Sequence, residues 1–427
     1  MVRDMPSYRS LSRNRDFTAL WAGEAINQLG SAVSMFAFSL VGYALTGSAM
    51  LAGLPTAAFM LGMVAALLPA GVVVDRSDRK RLMMLASGSG SIVYGLVAGA
   101  ALVGELRLWH LVAAALLTGV GTGVFGPAEA SAVRSVVSRD DLPTALSQNQ
   151  ARDHIAALIG GPLGAFLVGL GRATPFVLDA ITFAISFVTL SRIRTDLSPR
   201  ADRAPSNVRA DLVEGLRYVL GRPYFRTTMA FAATSNLAVN AVFYVAIMSL
   251  VQDGVRPGAI GVIDMLAGLG GILGALAAPR IIDHVPTGRL ILTAAWSWVP
   301  LLVPLLVWTS PLVVGAVLFL GILLNPAGNA GGQSYRMAIT PVHLQGRVAS
   351  SMQFVGLSLM PLAPILGGVL LEDLGGRAAT VGLLVLVTIS ALIPTASATV
   401  RRIPRPAAWP RLEEPEVPAQ KSATLAA

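Results

Sequence analysis

The first long apolar stretch of this sequence carries a row of polar side chains at helical spacing. Glu24, Asn27, Gln28 and Ser31 follow one another at i, i+3, i+4 and i+7, which places them on one face of a helix. A carboxylate among apolar residues can bind a cation or exchange a proton, and amides and hydroxyls can hydrogen-bond a polar ligand. The same face can instead serve only to hydrogen-bond a neighbouring helix. The pattern predicts either a binding face or a polar helix contact.

A matching row occurs in an apolar stretch of the second half of the chain. Shifting Gln28 by 208 positions leads to Asn236, and the row continues through Asn240 and Tyr244. Polar faces at equivalent places in two halves are what a central cavity between those halves requires. Two further amides at helical spacing, which we expect to extend the cavity wall, are Asn325 and Asn329.

Three other ionisable residues lie inside or beside apolar stretches and are candidates for proton transfer. An ionisable group at the centre of a membrane costs about 2.5–3.5 kcal/mol on insertion scales, so such groups usually have a function. For Asp179, a hydrogen-bonded carboxylate that fixes helix packing is the favoured interpretation, and Asp264 is the better candidate for a proton carrier. His154 carries an imidazole, the side chain that titrates nearest to neutral pH. It follows Arg152 and Asp153, for which an ion pair supporting a gate is the favoured interpretation.

The sequence lacks the residue clusters of an intramembrane enzyme. It has no cysteine, its four histidines are dispersed, and neither H-E-x-x-H nor G-x-S-x-G occurs. The only lysines are Lys80 and Lys421, so a phosphate loop with its Gly-Lys pair is absent from the sequence. We therefore expect no enzymatic activity, no metal and no cofactor.

The composition is that of a polytopic membrane protein. Of 427 residues, 54% are hydrophobic and 13% are charged, whereas soluble domains carry about 25% charged residues. Apolar runs long enough to cross a bilayer recur along the chain, and the fold class we predict is all-α with twelve transmembrane helices. The predicted spans are residues 17–44, 49–74, 82–103, 108–133, 146–170, 174–193, 226–252, 257–280, 289–308, 311–335, 347–371 and 376–399.

The basic residues predict how the chain lies in the membrane. Of the 32 Lys and Arg residues, 28 fall in the termini and alternate connections that share one side, and the other side holds four. The positive-inside rule then places both termini in the cytoplasm of a multi-pass protein of the cell membrane. The net charge of +9 is thereby an orientation signal, and we expect no nucleic acid binding. The polar N-terminus shows no cleavable signal peptide, so the first span should remain.

The two halves resemble each other at a nearly constant offset. Asp75 and Arg81 precede Asp283 and Arg289 by 208 residues, and Arg134 precedes Arg336 by 202. Six spans repeated in one orientation predict a parallel repeat, which is a transporter architecture. We expect a first half at 1–193, a cytoplasmic linker with an amphipathic interfacial helix at 194–225, a second half at 226–400 and a disordered cytoplasmic tail at 401–427.

The most charged segment of the chain, GVVVDRSDRKR at 71–81, follows the second predicted span. It resembles the signature loop of the major facilitator superfamily, G-x-x-x-D-R-x-x-R-K-R. The resemblance implies that Gly71 permits close helix approach, that Asp75 is a latch acceptor holding the cytoplasmic side shut, and that Arg76 and Arg79 are its basic partners. The segment PRIIDHVPTGR (279–289) is similar to a degenerate second copy, in which Asp283 and Arg289 survive.

Other segments resemble the drug- and siderophore-exporting branch of that family, close to macrolide and multidrug efflux proteins. They include FGPAEASAVRSVV (125–137) and QARDHIAALIGGPLG (150–164). The chain departs from the branch in two ways: Ala165 and Phe166 follow Gly164 where the exporter motif continues with glycine, and the fourth span lacks the arginine of many proton-coupled antiporters.

Glycines in the fifth and eighth spans are predicted packing devices. Two pairs have G-x-x-x-G spacing, which lets helices approach closely. In the family these two helices cross between the halves. The residues concerned are Gly160, Gly161, Pro162 and Gly164 in the fifth span and Gly270 and Gly274 in the eighth.

The function that these patterns favour is secondary active export of small amphipathic molecules by alternating access. The cargo would be a drug, an antibiotic or a siderophore-like product, and the resemblance implies a proton as counter-ion. We expect a monomer whose partners are its small-molecule substrate, the proton and the lipid bilayer. An uptake permease for a small metabolite and a non-transporting membrane receptor or scaffold are the alternatives.

Overall fold

The computed structural model describes residues 8–138, 141–198, 208–308, 310–341 and 344–409. Eleven helices in these ranges are long and apolar enough to cross a membrane. The last of them, residues 345–396, has 52 residues and would be about 78 Å long, more than twice the apolar thickness of a bilayer. It is interrupted at Gly375, whose φ of 77° lies in the left-handed region, and therefore divides into two spans. The predicted all-α protein with twelve spans is confirmed.

We number the spans α1 to α12. The first six are α1 (Arg15–Thr46), α2 (Ala49–Arg76), α3 (Arg79–Leu102), α4 (Leu108–Val136), α5 (Leu142–Leu170) and α6 (Thr174–Ser191). The next four are α7 (Pro223–Gln252), α8 (Pro257–His284), α9 (Thr287–Leu302, extended by the 3-10 turn Val303–Leu306) and α10 (Pro311–Leu323 and Asn325–Ala338). Span α11 comprises Gln345–Ser358 and the part of Leu362–Ala396 before Gly375, and α12 is the part after it. These bounds lie within about four residues of those predicted from hydropathy.

Short polar caps set where the first three spans begin. The side chain of Asn14 accepts a hydrogen bond from the Phe17 N–H at 3.0 Å at the start of α1. Ser48 accepts from the Leu51 N–H at 3.2 Å at the start of α2, and Asp78 accepts from the Lys80 N–H at 2.9 Å at the start of α3. Each cap satisfies a backbone donor that the helix itself leaves free. The tight turn between α1 and α2 uses Gly47 at a φ of 68°.

Each group of six spans packs mainly within itself. In the first, α2 packs on α4 and α1 packs on α5 and α6; in the second, α7 packs on the Leu362–Ala396 helix and α8 packs on α10. The two groups meet where α5 crosses α8 and where α2 crosses α11. An even number of spans brings both chain ends to one side of the bundle, which we call the terminal face. The other side, which carries the α1–α2 turn, is the opposite face.

The predicted amphipathic linker helix is present as Val208–Leu220. Its apolar residues Leu216 and Val219 belong to one cluster with Val348 and Met352 of α11. Glu214 forms an ion pair with Arg347 at 2.5 Å. The linker helix is thus docked on the start of α11 and does not rest on lipid alone. Residues 410–427 of the predicted disordered tail and residues 199–207 of the linker lie outside the described residues.

Candidate functional site

A cavity of about 470 Å³ lies at the seam between the two groups of spans. Both groups line it, with α1, α2 and α5 on one side and α7, α8, α10 and α11 on the other. Its wall is mostly apolar, and the bulkiest apolar residues are Met35, Phe36, Leu40, Met60, Phe243, Ile247, Met248 and Ile322. A wall of this kind suits an apolar body several rings in size.

The polar groups of the wall are few. They are the carboxylate of Asp264, the amide of Asn240 and the hydroxyls of Ser39, Thr56 and Tyr244. Among the described lining residues, Asp264 alone can carry a charge at neutral pH. The Asp264 side chain thus lies in a cavity between the halves, and its role in proton transfer stays a prediction.

The structure seals the cavity at the opposite face. The Glu372 carboxylate of α11 accepts hydrogen bonds from the Ser48 hydroxyl at 2.6 Å and from the Met50 N–H at 3.1 Å. The Tyr244 hydroxyl of α7 donates to the Ala49 carbonyl. These three bonds join the second group of spans to the start of α2. Among the described residues, all hydrogen bonds between the two groups of spans lie at this end. The two halves are therefore held together at this end.

The two crossings between halves are built from equivalent positions. A Cβ added at Gly261 of α8 would lie 2.8 Å from the Pro162 Cα of α5. A Cβ added at Gly53 of α2 would lie 2.8 Å from the Pro364 carbonyl oxygen of α11. Gly53 and Gly261 are 208 residues apart, and Pro162 and Pro364 are 202 apart, which are the two offsets of the repeat. Only glycine allows the backbones to approach this closely at both crossings.

The glycine pairs at G-x-x-x-G spacing do not lie at the α5–α8 crossing, where we expected them. Gly160 and Gly164 of α5 face Ala32 and Phe36 of α1, and Gly270 and Gly274 of α8 face α10. They pack helices within one half, because their spacing puts them on the sides of α5 and α8 turned away from the seam. At the α5–α8 crossing itself, Gly161 lies against Asp264.

The polar row on α1 lies outside the described cavity wall. The first α1 residue of the wall is Ala32, and Glu24 precedes it by eight residues, about 12 Å nearer the terminal face. Glu24 and Asn27 are buried, and the Asn27 amide donates to the Glu24 carboxylate at 3.3 Å. Gln28 and Ser31 are half-buried. In this conformation Glu24 and Asn27 lie outside the described wall and contact polar groups of their own half; their contact with cargo stays a prediction.

Glu24 belongs to a charged network that joins α1, α4 and α5. It interacts electrostatically with Glu129 of α4 and with Arg152 and Asp153 of α5. The Arg152 guanidinium donates to the Glu129 carboxylate at 2.7 and 3.4 Å and to Asp153 at 3.0 Å. The predicted Arg152–Asp153 pair is present, but the buried partner of Arg152 is Glu129. The rule that selected Glu24, an acid inside an apolar span, could have found Glu129 as well.

Asp179 of α6 is fully buried in the first half. The Thr182 hydroxyl donates to its Oδ1 at 3.1 Å, and the Ser34 and Tyr94 hydroxyls lie beside it. It lies against Gly30 of α1, where an added Cβ would be 2.6 Å from Oδ1. Asp179 is thus a contact between helices of one half, away from the cavity wall. His154 is exposed, one turn before Ala157 of the wall.

The polar row on α7 divides between the two roles. Asn240 and Tyr244 line the cavity, and their contact with cargo stays a prediction. Asn236 instead donates to the Gly356 carbonyl of α11 at 2.9 Å. Asn325 is half-buried and Asn329 is exposed. Both follow the break in α10 at Leu324, whereas the α10 residue of the cavity wall, Ile322, precedes that break. The structure does not bring these two amides into the described wall.

Two basic residues of the charged segment 71–81, Arg79 and Lys80, bond to backbone carbonyls at the terminal face. Arg79 is buried and donates to the carbonyls of Leu197 and Ser198, each at 3.2 Å. Lys80 donates to the carbonyls of Ser191 and Ile193 at 2.9 and 2.7 Å. These bonds fasten the start of α3 to the backbone at and after the end of α6. The Arg79 guanidinium is engaged there in this conformation, and its pairing with Asp75 in a latch stays a prediction.

The remaining predicted gating residues are solvent-exposed. They are Asp75, Arg76, Asp283 and Arg289. A Cβ added at Gly71 would meet nothing within 4 Å. Gly71 is therefore not a close-packing position in this conformation, because no neighbouring helix reaches it at the terminal face.

The sequence is similar to those of known efflux proteins. The multidrug efflux pump Tap of Mycolicibacterium fortuitum is 27% identical over 375 residues, which cover 84% of this chain and 88% of that protein. Macrolide efflux protein A of Streptococcus pyogenes is 25% identical over 209 residues, which cover 47% of this chain and 50% of that protein.

Solved structures share the fold. A bacterial homolog of the human lysosomal transporter Spinster, inward-facing and occupied, superposes with a TM-score of 0.72 at 14% identity, covering 92% of this chain and 97% of its own. A D-xylose-proton symporter gives 0.68 at 11% identity, covering 95% and 100%. The profile of the Major Facilitator Superfamily matches residues 20–356. The chain therefore belongs to the Major Facilitator Superfamily.

Proposed function

We propose that this protein is a secondary active exporter of small amphipathic molecules, including antibiotics, that works by alternating access. The observation that carries the proposal is the cavity at the seam, lined by both halves and sealed at the opposite face. A ligand held there touches both halves at once, so tilting one half against the other would change the face to which it has access. The efflux pumps among the relatives support export as the direction.

The chemistry of the wall favours cargo with an apolar body and a positive charge. Apolar side chains bury the body, and the Asp264 carboxylate can form a charge-assisted hydrogen bond with a cation. Such a bond is worth about 1.5–3 kcal/mol, which corresponds to roughly 10–150-fold in affinity. Neutral amphipathic cargo would bind through the apolar wall alone and more weakly.

The same carboxylate supports coupling to protons. Asp264 can hold either the cation of the cargo or a proton, and the two therefore compete. Exchange of one for the other at opposite faces is antiport. A proton that moves through 100 mV releases about 2.3 kcal/mol, which is equivalent to roughly a fiftyfold concentration gradient of cargo.

We place the terminal face in the cytoplasm and the protein in the cell membrane. The support is the asymmetry of basic residues, of which 28 among 32 belong to the side of the termini. Cargo would then enter the cavity from the cytoplasm and leave through the opposite face once the bonds at Glu372 and Tyr244 break. The latch of Asp75 and Arg76, the second copy at Asp283 and Arg289, and a monomeric assembly belong to the same proposal.

The test is transport by inverted membrane vesicles from cells that express the protein. A fluorescent lipophilic cation such as ethidium should accumulate when the vesicles are energised, and the accumulation should collapse with a protonophore. Asp264→Asn should reduce it at least about tenfold, by loss of the charge-assisted bond. Asp373→Asn, which removes an exposed carboxylate of α11 outside the cavity wall, is the matched control and should transport normally.

The same assay separates the alternatives. Energised movement of cargo out of inverted vesicles would favour an uptake permease. Absence of flux for cationic, neutral and anionic dyes would favour a receptor or scaffold. Full transport by Asp264→Asn would remove Asp264 from recognition and from coupling.

A further inference from the structure

A cluster of buried polar groups joins α1, α4 and α5 between the cavity and the terminal face. The Arg152 side chain is 4% exposed and that of Glu129 is 11% exposed. The Asn149 amide donates to the Glu129 Oε1 at 3.3 Å, and the Asn27 amide donates to the Glu24 Oε2 at 3.3 Å. None of these five residues contributes to the described cavity wall.

The charges of this cluster do not balance. Its buried members are two carboxylic acids, Glu24 and Glu129, and one guanidinium, Arg152. Asp153 is 47% exposed, so water screens its charge. From α6, the neighbours of Glu24's turn are uncharged: the Thr189 hydroxyl and the Ser186 backbone lie against Gly23. With both buried acids ionised, the cluster would hold one uncompensated negative charge away from water, which is costly.

The hydrogen bonds show which acid is ionised. Arg152 faces Glu129 with two nitrogens, at 2.7 and 3.4 Å, which is the arrangement of an ionised carboxylate. The Glu24 carboxyl instead accepts a hydrogen bond from the neutral amide of Asn27. Arg152 therefore gives its hydrogen bonds to Glu129 and Asp153 in this conformation, and it acts on Glu24 only through its charge at longer range.

The cluster is also short of donors. The amide oxygens of Asn27 and Asn149 are buried and lack a hydrogen-bond partner. Buried acceptors normally find a donor. A proton on Glu24 would remove the excess charge and would supply one donor to a cluster in which two buried amide oxygens lack one. Two independent observations, charge and hydrogen bonding, thus call for one additional proton at the same place.

We propose that Glu24 is a proton-binding site separate from the cavity, and that Arg152 sets its occupancy by choosing between Glu129 and Glu24. While Arg152 is on Glu129, Glu24 holds a proton. When Arg152 swings to Glu24, Glu24 gives up its proton to water and becomes the ionised partner, and Glu129, which has lost its cation, takes up a proton from water in its place. The transport role of this site rests on the proton coupling proposed above.

The helices of the cluster connect it to the cavity. Span α1 carries Glu24 and, further along, the wall residues Met35 and Phe36. Span α5 carries Arg152 and, about 13.5 Å further along, Gly161, which lies against Asp264. A change of partner at Arg152 therefore acts on two helices that hold the wall.

Infrared difference spectroscopy of the purified protein near neutral pH tests this site without any cargo. Protonated carboxyl groups absorb apart from carboxylates, so each variant minus wild type reports which acid carries a proton. Glu24→Gln should remove one protonated-carboxyl band. Glu129→Gln should remove the same band although Glu24 is intact, because the released Arg152 then ionises Glu24. Glu105→Gln, which changes an exposed glutamate of the opposite face, should leave the band unchanged.

Persistence of the Glu24 band in Glu129→Gln would overturn the switch, and an unchanged band in Glu24→Gln would overturn the protonated state itself. If Glu24→Gln does not fold, Glu129→Gln still decides, because it retains Glu24. The spectra are independent of flux. Expected bands without export would refute the proposed function alone, and export with unexpected bands would refute this site alone.

Discussion

The two halves of the molecule share one architecture but differ in buried charge. In the part of the chain that the structure describes, the charged side chains buried from solvent all lie in the first half: Glu24, Arg79, Glu129, Arg152 and Asp179. The buried polar residues of the second half are all hydroxyls: Thr228, Thr287, Ser297, Thr340, Ser351, Thr380 and Ser390. The offsets of the repeat carry Glu24, Glu129 and Arg152 onto Ala232, Gly331 and Phe354.

The close-packed residues at the seam are equivalent in the two halves, although the buried charged residues are not. The crossings Gly53–Pro364 and Gly261–Pro162 use equivalent residues in both halves. Asp264 and Thr56, also 208 positions apart, both face the cavity. The comparison teaches that close packing at the seam requires the same residues in both halves. The ionisable groups differ: the first half has a buried charged network, and the second has one carboxylate in the cavity wall.

The largest effect that would test this difference in buried charge between the halves is an effect on the free energy of unfolding. Arg152→Met should lower the free energy of unfolding by about 3–5 kcal/mol, because it leaves the buried Glu129 carboxylate without its partner. Arg289→Met, in the second half, removes an exposed arginine and should change stability by less than about 0.5 kcal/mol. Unfolding of both variants in mixed micelles measures the difference, and equal stability would show that the first half does not depend on its buried pair.

Much of this architecture could be predicted from the sequence, because hydropathy and breaker residues act locally. The bounds of all twelve spans follow from apolar runs that end at residues such as Gly47 and Asp78. The repeat follows from positions such as Asp75 and Asp283. These features need no knowledge of which helices touch.

The site was harder to predict because it depends on helix rotation and on the conformational state. The row at Glu24 has the spacing of one face, but spacing does not say whether that face meets a cavity or a neighbouring helix. Glu372 and Gly261 are conspicuous only when the opposite face is closed, since their partners come from the other half. Asp264 could be selected as an acid in an apolar span, and that rule overlooked Glu129.

A smaller effect should follow from filling the crossings. Gly261→Ala and Gly53→Ala should each destabilise the closed opposite face by about 1–3 kcal/mol, because the added methyl group meets backbone atoms that cannot move aside. Gly258→Ala, near the start of α8, meets nothing within 4 Å and is the control. The chain contains no cysteine, so Ser39→Cys can report closure through labelling by an impermeant thiol reagent from the opposite face.

Labelling of Ser39→Cys should be faster in both crossing variants than in the control. An increase in Gly261→Ala alone would break the equivalence of the crossings and would assign closure to α5 and α8.

A still smaller effect is expected at the polar bonds that close the opposite face. Glu372→Gln keeps an acceptor for the Ser48 hydroxyl but removes the charge that strengthens both bonds to the start of α2. The rate of Ser39→Cys labelling should rise by less than in Gly261→Ala, because the group is exposed and water competes for it. Asp373→Asn should leave the rate unchanged, and a rise as large as that of Gly261→Ala would make Glu372 the main fastening of this face.

The smallest effect on stability, and the most direct comparison of the halves, concerns the two copies of the charged segment. Both Asp75 and Asp283 are exposed, so Asp75→Asn and Asp283→Asn should leave unfolding unchanged within about 0.5 kcal/mol. Turnover should separate them. In the first half, the side chains of Arg79 and Lys80 hold the start of α3 to backbone carbonyls at and after the end of α6. At the corresponding positions of the second half, the backbone N–H groups of Thr287 and Gly288 hold the start of α9 to the carbonyls of Pro404 and Ile403, at 3.2 Å each. The turn beside Asp75 is therefore held by more hydrogen bonds than the turn beside Asp283. Asp75→Asn should therefore slow vesicle transport more than Asp283→Asn does, and equal slowing would mean that both halves contribute equally to opening at the terminal face.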